Sequence, residues 1–330
     1  MTRLRAVPGG GAAVPQRSGS ATQVRVEAPV RVTLTHGVTG TADDGGPVLS
    51  GVVQAVRLIE TVTARRQSLD AHGLVTLSDD DAPAAPGTAP ADAAAEEPAA
   101  RAARLLAEEL DVTEGVDLLL RRRAGLGSGL AVGAADAAAA LLACNALWGT
   151  GLSTGELAEI GARLDPAVPF AVTGATAVDH GTGEHLSPLM TRGAYQWVLA
   201  LPEEDLDPAE VLTQHAARTE AEPSGDATDE PSATLTAALR AGDPTALAPA
   251  LRNDLQETVI ALRPRVRDVI DLTESAGALR ALVTGTGPAV ACLVADSSTA
   301  MRVSRALAAS GLVASAVRAD APVAGARTVG

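Results

Sequence analysis

Residues 124–149, AGLGSGLAVGAADAAAALLACNALWG, constrain the fold more than any other stretch. Gly125, Gly127 and Gly129 can take positive φ and bring backbone N–H groups close to a ligand. The alanine-rich run behind them has the composition of a helix, whose positive dipole end would face the loop and suit a phosphate. Glycines ahead of a helix also make plain turns, so on this stretch alone both readings stand.

The rest of the sequence supplies the context such a loop needs. VRVEAPVRVTLTHGV (24–38) alternates β-branched residues and reads as strand, and VLSGVVQAVRLIETVTARR (48–66) begins like a helix and ends like a strand. AARAARLLAEEL reads as helix and GVDLLLRRR as the strand leading into the glycine loop. A helix follows at STGELAEIGARL, a loop at DPAVPFAVTGA and a strand at AYQWVLALP. Helices are then expected around 234–241, 244–256 and 265–277. ALRALVTGTGPAVACLVAD reads as strand-loop-strand, SSTAMRVSRALAAS as helix and VASAVRAD as a closing strand. Strands and helices mix without regular alternation, which predicts an α+β fold in two domains. The expected division is a disordered lead over 1–22, an N-terminal domain over 23–175 carrying the glycine loop, and a C-terminal domain over 176–330. Two acidic low-complexity stretches, 79–98 and 219–233, read as surface loops.

Composition removes several function classes. With 46% hydrophobic residues the chain can build real cores, but aromatics are 1%, so Ala, Val and Leu must fill them and base stacking is nearly unavailable. A net charge of -14 repels phosphate backbones, so nucleic acid is not an expected partner. Arg121–Arg123 is the one basic run, either a solvated strand end or a group facing nucleotide phosphates. Two distant cysteines suit free thiols in a reducing cytoplasm, no apolar run predicts a membrane span, and the five scattered histidines read as surface or loop residues. No metal-ligating set is visible. The sequence contains no lysine, which removes lysine-based catalysis.

Several stretches, in order and spacing, resemble the 4-diphosphocytidyl-2-C-methyl-D-erythritol kinase family of the GHMP kinase superfamily over about residues 24–328. They are VRVEAPVRVTL, ADAAAALLACNALWGTGLS, VPF followed by GATAV, WVLALP, RNDLQ and TGTGPAVACLVAD. The resemblance implies a two-domain GHMP kinase fold, ATP with Mg2+, and a small-molecule acceptor whose 2-hydroxyl takes the γ-phosphate. It places Arg31 at the family's catalytic lysine and Thr33 at its asparagine; arginine keeps the charge in a wider, permanently protonated fork. Ala167 stands where the family has its aspartate, leaving Asp165 two residues upstream, behind Pro166. On the substrate side, Asp44 aligns with the family motif, but Gly46 and Pro47 replace the tyrosine and histidine that help hold cytidine.

The glycine loop admits two registers. One puts Val132 and Ala134 where the family has a glycine and a serine; the other matches Gly125, Gly127, Ser128 and Gly129 to the superfamily loop, with the helix directly after. Gly133 and these residues are the candidate nucleotide-binding set, and Gly285 and Gly287 of the later glycine segment join Asp44 on the substrate side. The resemblance, with these replacements, implies a kinase of non-mevalonate isoprenoid synthesis that is impaired or has become a pseudoenzyme; an active kinase of that pathway, or one for another small hydroxyl substrate, is the alternative. If so, no cation and carboxylate should converge on the substrate cleft.

Overall fold

The computed structural model describes residues 21–41, 47–67, 73–79, 96–125, 128–181, 186–221 and 230–329. The expected disordered lead, apart from residues 21–22, lies outside them, as do most of the two acidic stretches.

Two long strands, β1 (Gln23–Thr41) and β2 (Pro47–Arg66), form an antiparallel ribbon from Gln23 opposite Arg65 to Thr41 opposite Pro47. The stretch expected to start as a helix is therefore strand throughout. Its middle, Val52 to Val56, is buried on both faces, so the two-residue alternation that marks a half-buried strand is missing there. Pairing with β1 decides the conformation.

β3 (Val75–Asp79), α1 (Pro98–Glu109) and β4 (Val116–Arg121) form a crossover that brings β4 parallel to β3 and antiparallel to β2. After the glycine loop, α2 (Val132–Trp148) packs against α1, β1 and β2. Its alanines 137–140 are fully or nearly fully buried, because side chains this small let helix and sheet approach closely. Cys144 is buried in the same helix, and Gly149 closes it in a left-handed cap.

α3 (Thr154–Ala162) starts with a complete capping box of Ser153 and Glu156. The stretch 165–175, expected as a loop, holds a short helix, α4 (Val168–Thr173), with Pro169 in its first turn, where proline costs no hydrogen bond. β5 (Thr176–Asp179) pairs with β2 and β6 (Leu186–Pro188) with β5.

The remainder comprises β7 (Tyr195–Leu201), α5 (Pro208–Ala221), α6 (Ala233–Ala241), α7 (Pro244–Leu247), a 3-10 turn at Ala248–Ala250 and β8 (Arg252–Asn253). It continues through α8 (Gln256–Leu262), α9 (Arg265–Ser275), β9 (Arg280–Val283), β10 (Val290–Val294), α10 (Ser297–Ser310), β11 (Ser315–Ala321) and β12 (Arg327–Val329). The single helix expected over 244–256 is interrupted, because Pro249 and the β8 pairing break it up.

Strands β11-β7-β10-β9 make a second, antiparallel sheet, while β8 and β12 return to β1 in the first. The boundary expected at 175/176 therefore cuts the first sheet, which takes β5, β6, β8 and β12 from beyond it. The two sheets meet through buried polar groups: Trp197 Nε1 of β7 donates to Gln54 Oε1 of β2 at 3.2 Å, and Gln54 Nε2 donates to Thr176 Oγ1 at 3.1 Å. Among the described residues, no helix is long and apolar enough to cross a membrane.

Candidate active site

The two glycine segments meet backbone to backbone. Gly129 has φ +84°, and a Cβ there would stand 2.1 Å from the Thr284 carbonyl oxygen and 2.6 Å from the Gly287 nitrogen. A Cβ on Gly285 would stand 2.5 Å from the Gly129 oxygen. The fit therefore demands glycine for packing of protein on protein, before any ligand is considered.

Helix α2 begins at Val132, three residues beyond Gly129, after Leu130 and the left-handed Ala131, and Ala131 supplies no side-chain cap. Gly133 lies in the first turn, and the helix does not start directly after Gly129 as the second register expects. First-turn N–H groups lack intrahelical partners, so this uncapped end offers donors beside Ala131, which lines a cleft of about 320 Å³. Ser128 is buried, and its Oγ has no hydrogen-bond partner. Gly125 lies against the Asp205 carboxylate, while Leu126 and Gly127 fall outside the described residues.

Arg31, Asp165, Ala167 and Asp179 line the same cleft, together with Gly129, Gly285 and Thr286. Arg31 Nη1 donates to Asp179 Oδ2 at 2.6 Å, and its guanidinium lies 5.9 Å from the centre of the Phe170 ring. Asp179 Oδ1 accepts the Gly181 N–H at 2.9 Å. A cation and a carboxylate thus converge on the cleft, contrary to the expectation from sequence, but the carboxylate enters from β5 and not from position 167. Ala167 sits at the N-terminus of α4. Asp165 also borders the cleft, with Oδ1 held by the Ala167 N–H at 2.7 Å.

Thr33 stitches β1 to the second glycine segment: its N–H donates to Thr284 Oγ1 at 3.1 Å and its Oγ1 accepts from Gly285 N at 3.0 Å. Asn253 of the RNDLQ stretch fixes the same segment, donating to the Val283 and Gly285 carbonyls, each at 2.8 Å. His36, expected as a surface or loop residue, lies on β1 at the cleft. Burial and the nearby Arg31 charge push its pKa down to about 4, so the ring is neutral at pH 7. Its Nδ1 and the Oγ of Ser50, another cleft residue, are buried without partners. Asp44 and Gly46 lie outside the described residues, and Leu49 lines the cleft.

Of the arginine run only the middle residue turns inward, Arg121 and Arg123 being exposed. Arg122 pairs with buried Asp136 at 2.7 Å and with Glu97 at 2.6 Å, so it is neither a solvated strand end nor a phosphate ligand. The next two residues are held from below by Glu60 of β2, which accepts the Arg123 N–H at 2.8 Å and the Ala124 N–H at 3.2 Å. Burial is the main cause that raises this carboxyl to about 7.

Family models for the GHMP kinases N-terminal domain and the GHMP kinases C-terminal region match residues 97–177 and 235–312. A 4-diphosphocytidyl-2-C-methyl-D-erythritol kinase of Thermobifida fusca is 40% identical over 309 residues, 93% of this chain and 99% of that protein. The chain belongs to this kinase family. A second member, from Salinispora tropica, is 40% identical over 94% of this chain and 95% of its own length. A crystal structure of a 4-(cytidine 5'-diphospho)-2C-methyl-D-erythritol kinase superposes with TM-score 0.72 at 25% identity, covering 91% of this chain and 99% of that one. A homoserine kinase structure from Cytophaga hutchinsonii shares the fold with TM-score 0.69 at 18% identity, covering 94% and 99%.

Within the kinase family pattern, the sequence singled out Arg31, Ala167 and both glycine segments, but it missed Asp179, His36 and Glu60. Asp179 had one local signal, an Asp two residues before a glycine, which favours a side-chain-to-backbone turn. Its partner Arg31 lies 148 positions away and is reached only through the pairing of β5 with β2.

Proposed function

We propose that this chain binds ATP at the uncapped start of α2 and transfers its γ-phosphate slowly to a small hydroxyl acceptor, that of the isoprenoid-pathway kinases it resembles. The observation that carries the reading is the alanine at position 167 on the cleft wall, where the family pattern has its aspartate. Position 167 is alanine, Asp165 holds the Ala167 N–H, and both oxygens of Asp179 carry a donor. Of these two aspartates lining the described cleft, only Asp165 keeps an oxygen, Oδ2, without a donor, and it projects from two residues before the position where the family pattern has its aspartate.

Phosphoryl transfer depends mainly on positioning and charge stabilisation, so a missing base slows the step without abolishing it. Arg31 would neutralise developing phosphate charge, and the first-turn N–H groups of Val132 and Gly133 would hold phosphate oxygens. Ser128 Oγ is buried and unpartnered beneath the loop and does not line the cleft, so it takes no part in this reading. Magnesium would offset charge between the phosphates. Among the described residues no cluster of three or more ligating side chains exists to cage it, so its ligands would be chiefly phosphate and water oxygens.

The acceptor side is relined as well, since Gly46 and Pro47 supply neither stacking ring nor imidazole. A coupled assay of ADP release with 4-diphosphocytidyl-2-C-methyl-D-erythritol tests the reading. Turnover should lie at least about a hundredfold below that of a family member carrying lysine and aspartate, the contribution of one general base. Turnover equal to that member's would refute it; undetectable turnover with ATP still bound would leave nucleotide binding as the function.

A further inference from the structure

Asp179 lines the cleft and pairs with Arg31, and the sequence reading assigned it no role. We infer that Asp179 is a positioning residue that presets Arg31 as a fork for the terminal phosphate of the bound nucleotide. The inference rests on the nucleotide site proposed above and adds to it the means by which that site tells a triphosphate from a diphosphate.

An arginine on a strand samples many rotamers, and its use as a phosphate fork requires that one be selected. Here the side chain is restrained from two directions. Asp179 takes the Nη1 donor at 2.6 Å and the Phe170 ring lies against the guanidinium. Its backbone is also fixed, the Arg31 N–H donating to the Leu130 carbonyl at 3.1 Å, in the turn that leads into α2. The guanidinium has five N–H donors in one plane and Asp179 engages one of them. The side chain keeps about one-fifth of its surface exposed, at 20%, and it borders the cleft together with Ala131 and Gly285.

Asp179 is itself held at both oxygens. Its second oxygen takes the Gly181 N–H, and this turn can close only because residue 181 is glycine: a Cβ there would stand 2.4 Å from the Leu49 carbonyl oxygen. The other cleft carboxylate, Asp165, does not compete for Arg31, being turned to the Ala167 N–H. A fork fixed in this way suits a dianionic terminal phosphoryl group, which arginine can bind through paired donors.

Titration calorimetry with ATP and with ADP on the full chain tests this. The wild type should bind ATP more tightly than ADP. Asp179→Asn should lower that ratio by about tenfold, a typical loss for one charge-assisted contact, while ADP affinity stays within about twofold. Arg31→Met should lower it as far, the double variant no further, and Asp179→Glu should recover part of it. A thermal melt of each variant confirms folding. A merely structural role for Asp179 would weaken ATP and ADP alike and would overturn the inference, as would a normal ratio in Asp179→Asn or in Arg31→Met. A wild type that binds neither nucleotide would overturn the nucleotide site itself, and the inference with it.

Discussion

At Gly129 a single hydrogen atom in place of a methyl group decides whether the two glycine segments can meet. Gly129→Ala would put a Cβ 2.1 Å from the Thr284 carbonyl oxygen at φ +84° and should destabilise the fold by about 2–4 kcal/mol, read from the denaturant midpoint. Gly149→Ala, with a similar φ of +70° but nothing within 4 Å of the new Cβ, should cost only about 1 kcal/mol. Equal losses would mean that the contact between the segments contributes little. At this scale the sequence was informative where a residue departs from a linear motif: Arg31, Thr33 and Ala167 could be read against their neighbours. It was silent where the chemistry needs two distant strands, as with Arg31 and Asp179, or an orphaned buried atom, as with His36 Nδ1 and Ser50 Oγ.

At the scale of elements, the stem of the glycine loop hangs on Glu60, the buried carboxylate of β2 that holds the Arg123 and Ala124 N–H groups. Burial raises its pKa from 4.5 to about 7, the Asp136 charge adds to the rise, and the two N–H groups and Arg122 oppose it. The folded state therefore binds more protons than the unfolded state between pH 4.5 and about 7, and stability falls as pH rises through that window. The loss should reach about 3 kcal/mol for a shift of this size and level off above the window. Glu60→Gln should remove that part of the slope in a melting temperature measured against pH; an unchanged slope would show that another group carries it. The helices α10 and α3 were legible from sequence, and the structure supplies their physical ends: Asp296 caps α10 and Gly311 closes it, and a capping box starts α3. β2 was not, because burial on both faces erased its period, and α4 was not, because six residues around a proline carry no helical period to read.

At the scale of the whole molecule, the chain does not divide where its sequence changes character. β12 pairs with Arg25–Glu27 at one edge of the first sheet, β8 pairs with Thr35–His36, and β5 lies against β2. Trp197 and Gln54 tie the two sheets together through a buried hydrogen bond. A fragment of residues 21–175 would lack β5, β6, β8 and β12, leaving sheet edges and apolar surface open, and should show no cooperative thermal transition by circular dichroism; a sharp one would restore 175/176 as a domain boundary. On the function proposed above, this kinase-family fold would keep a phosphate cradle and a cation and lack a carboxylate at position 167 to take the acceptor's proton. The most direct measurement is the turnover of Ala167→Asp at saturating ATP and 4-diphosphocytidyl-2-C-methyl-D-erythritol. The account predicts a rate at least about tenfold above wild type; a rate equal to or below wild type would contradict it.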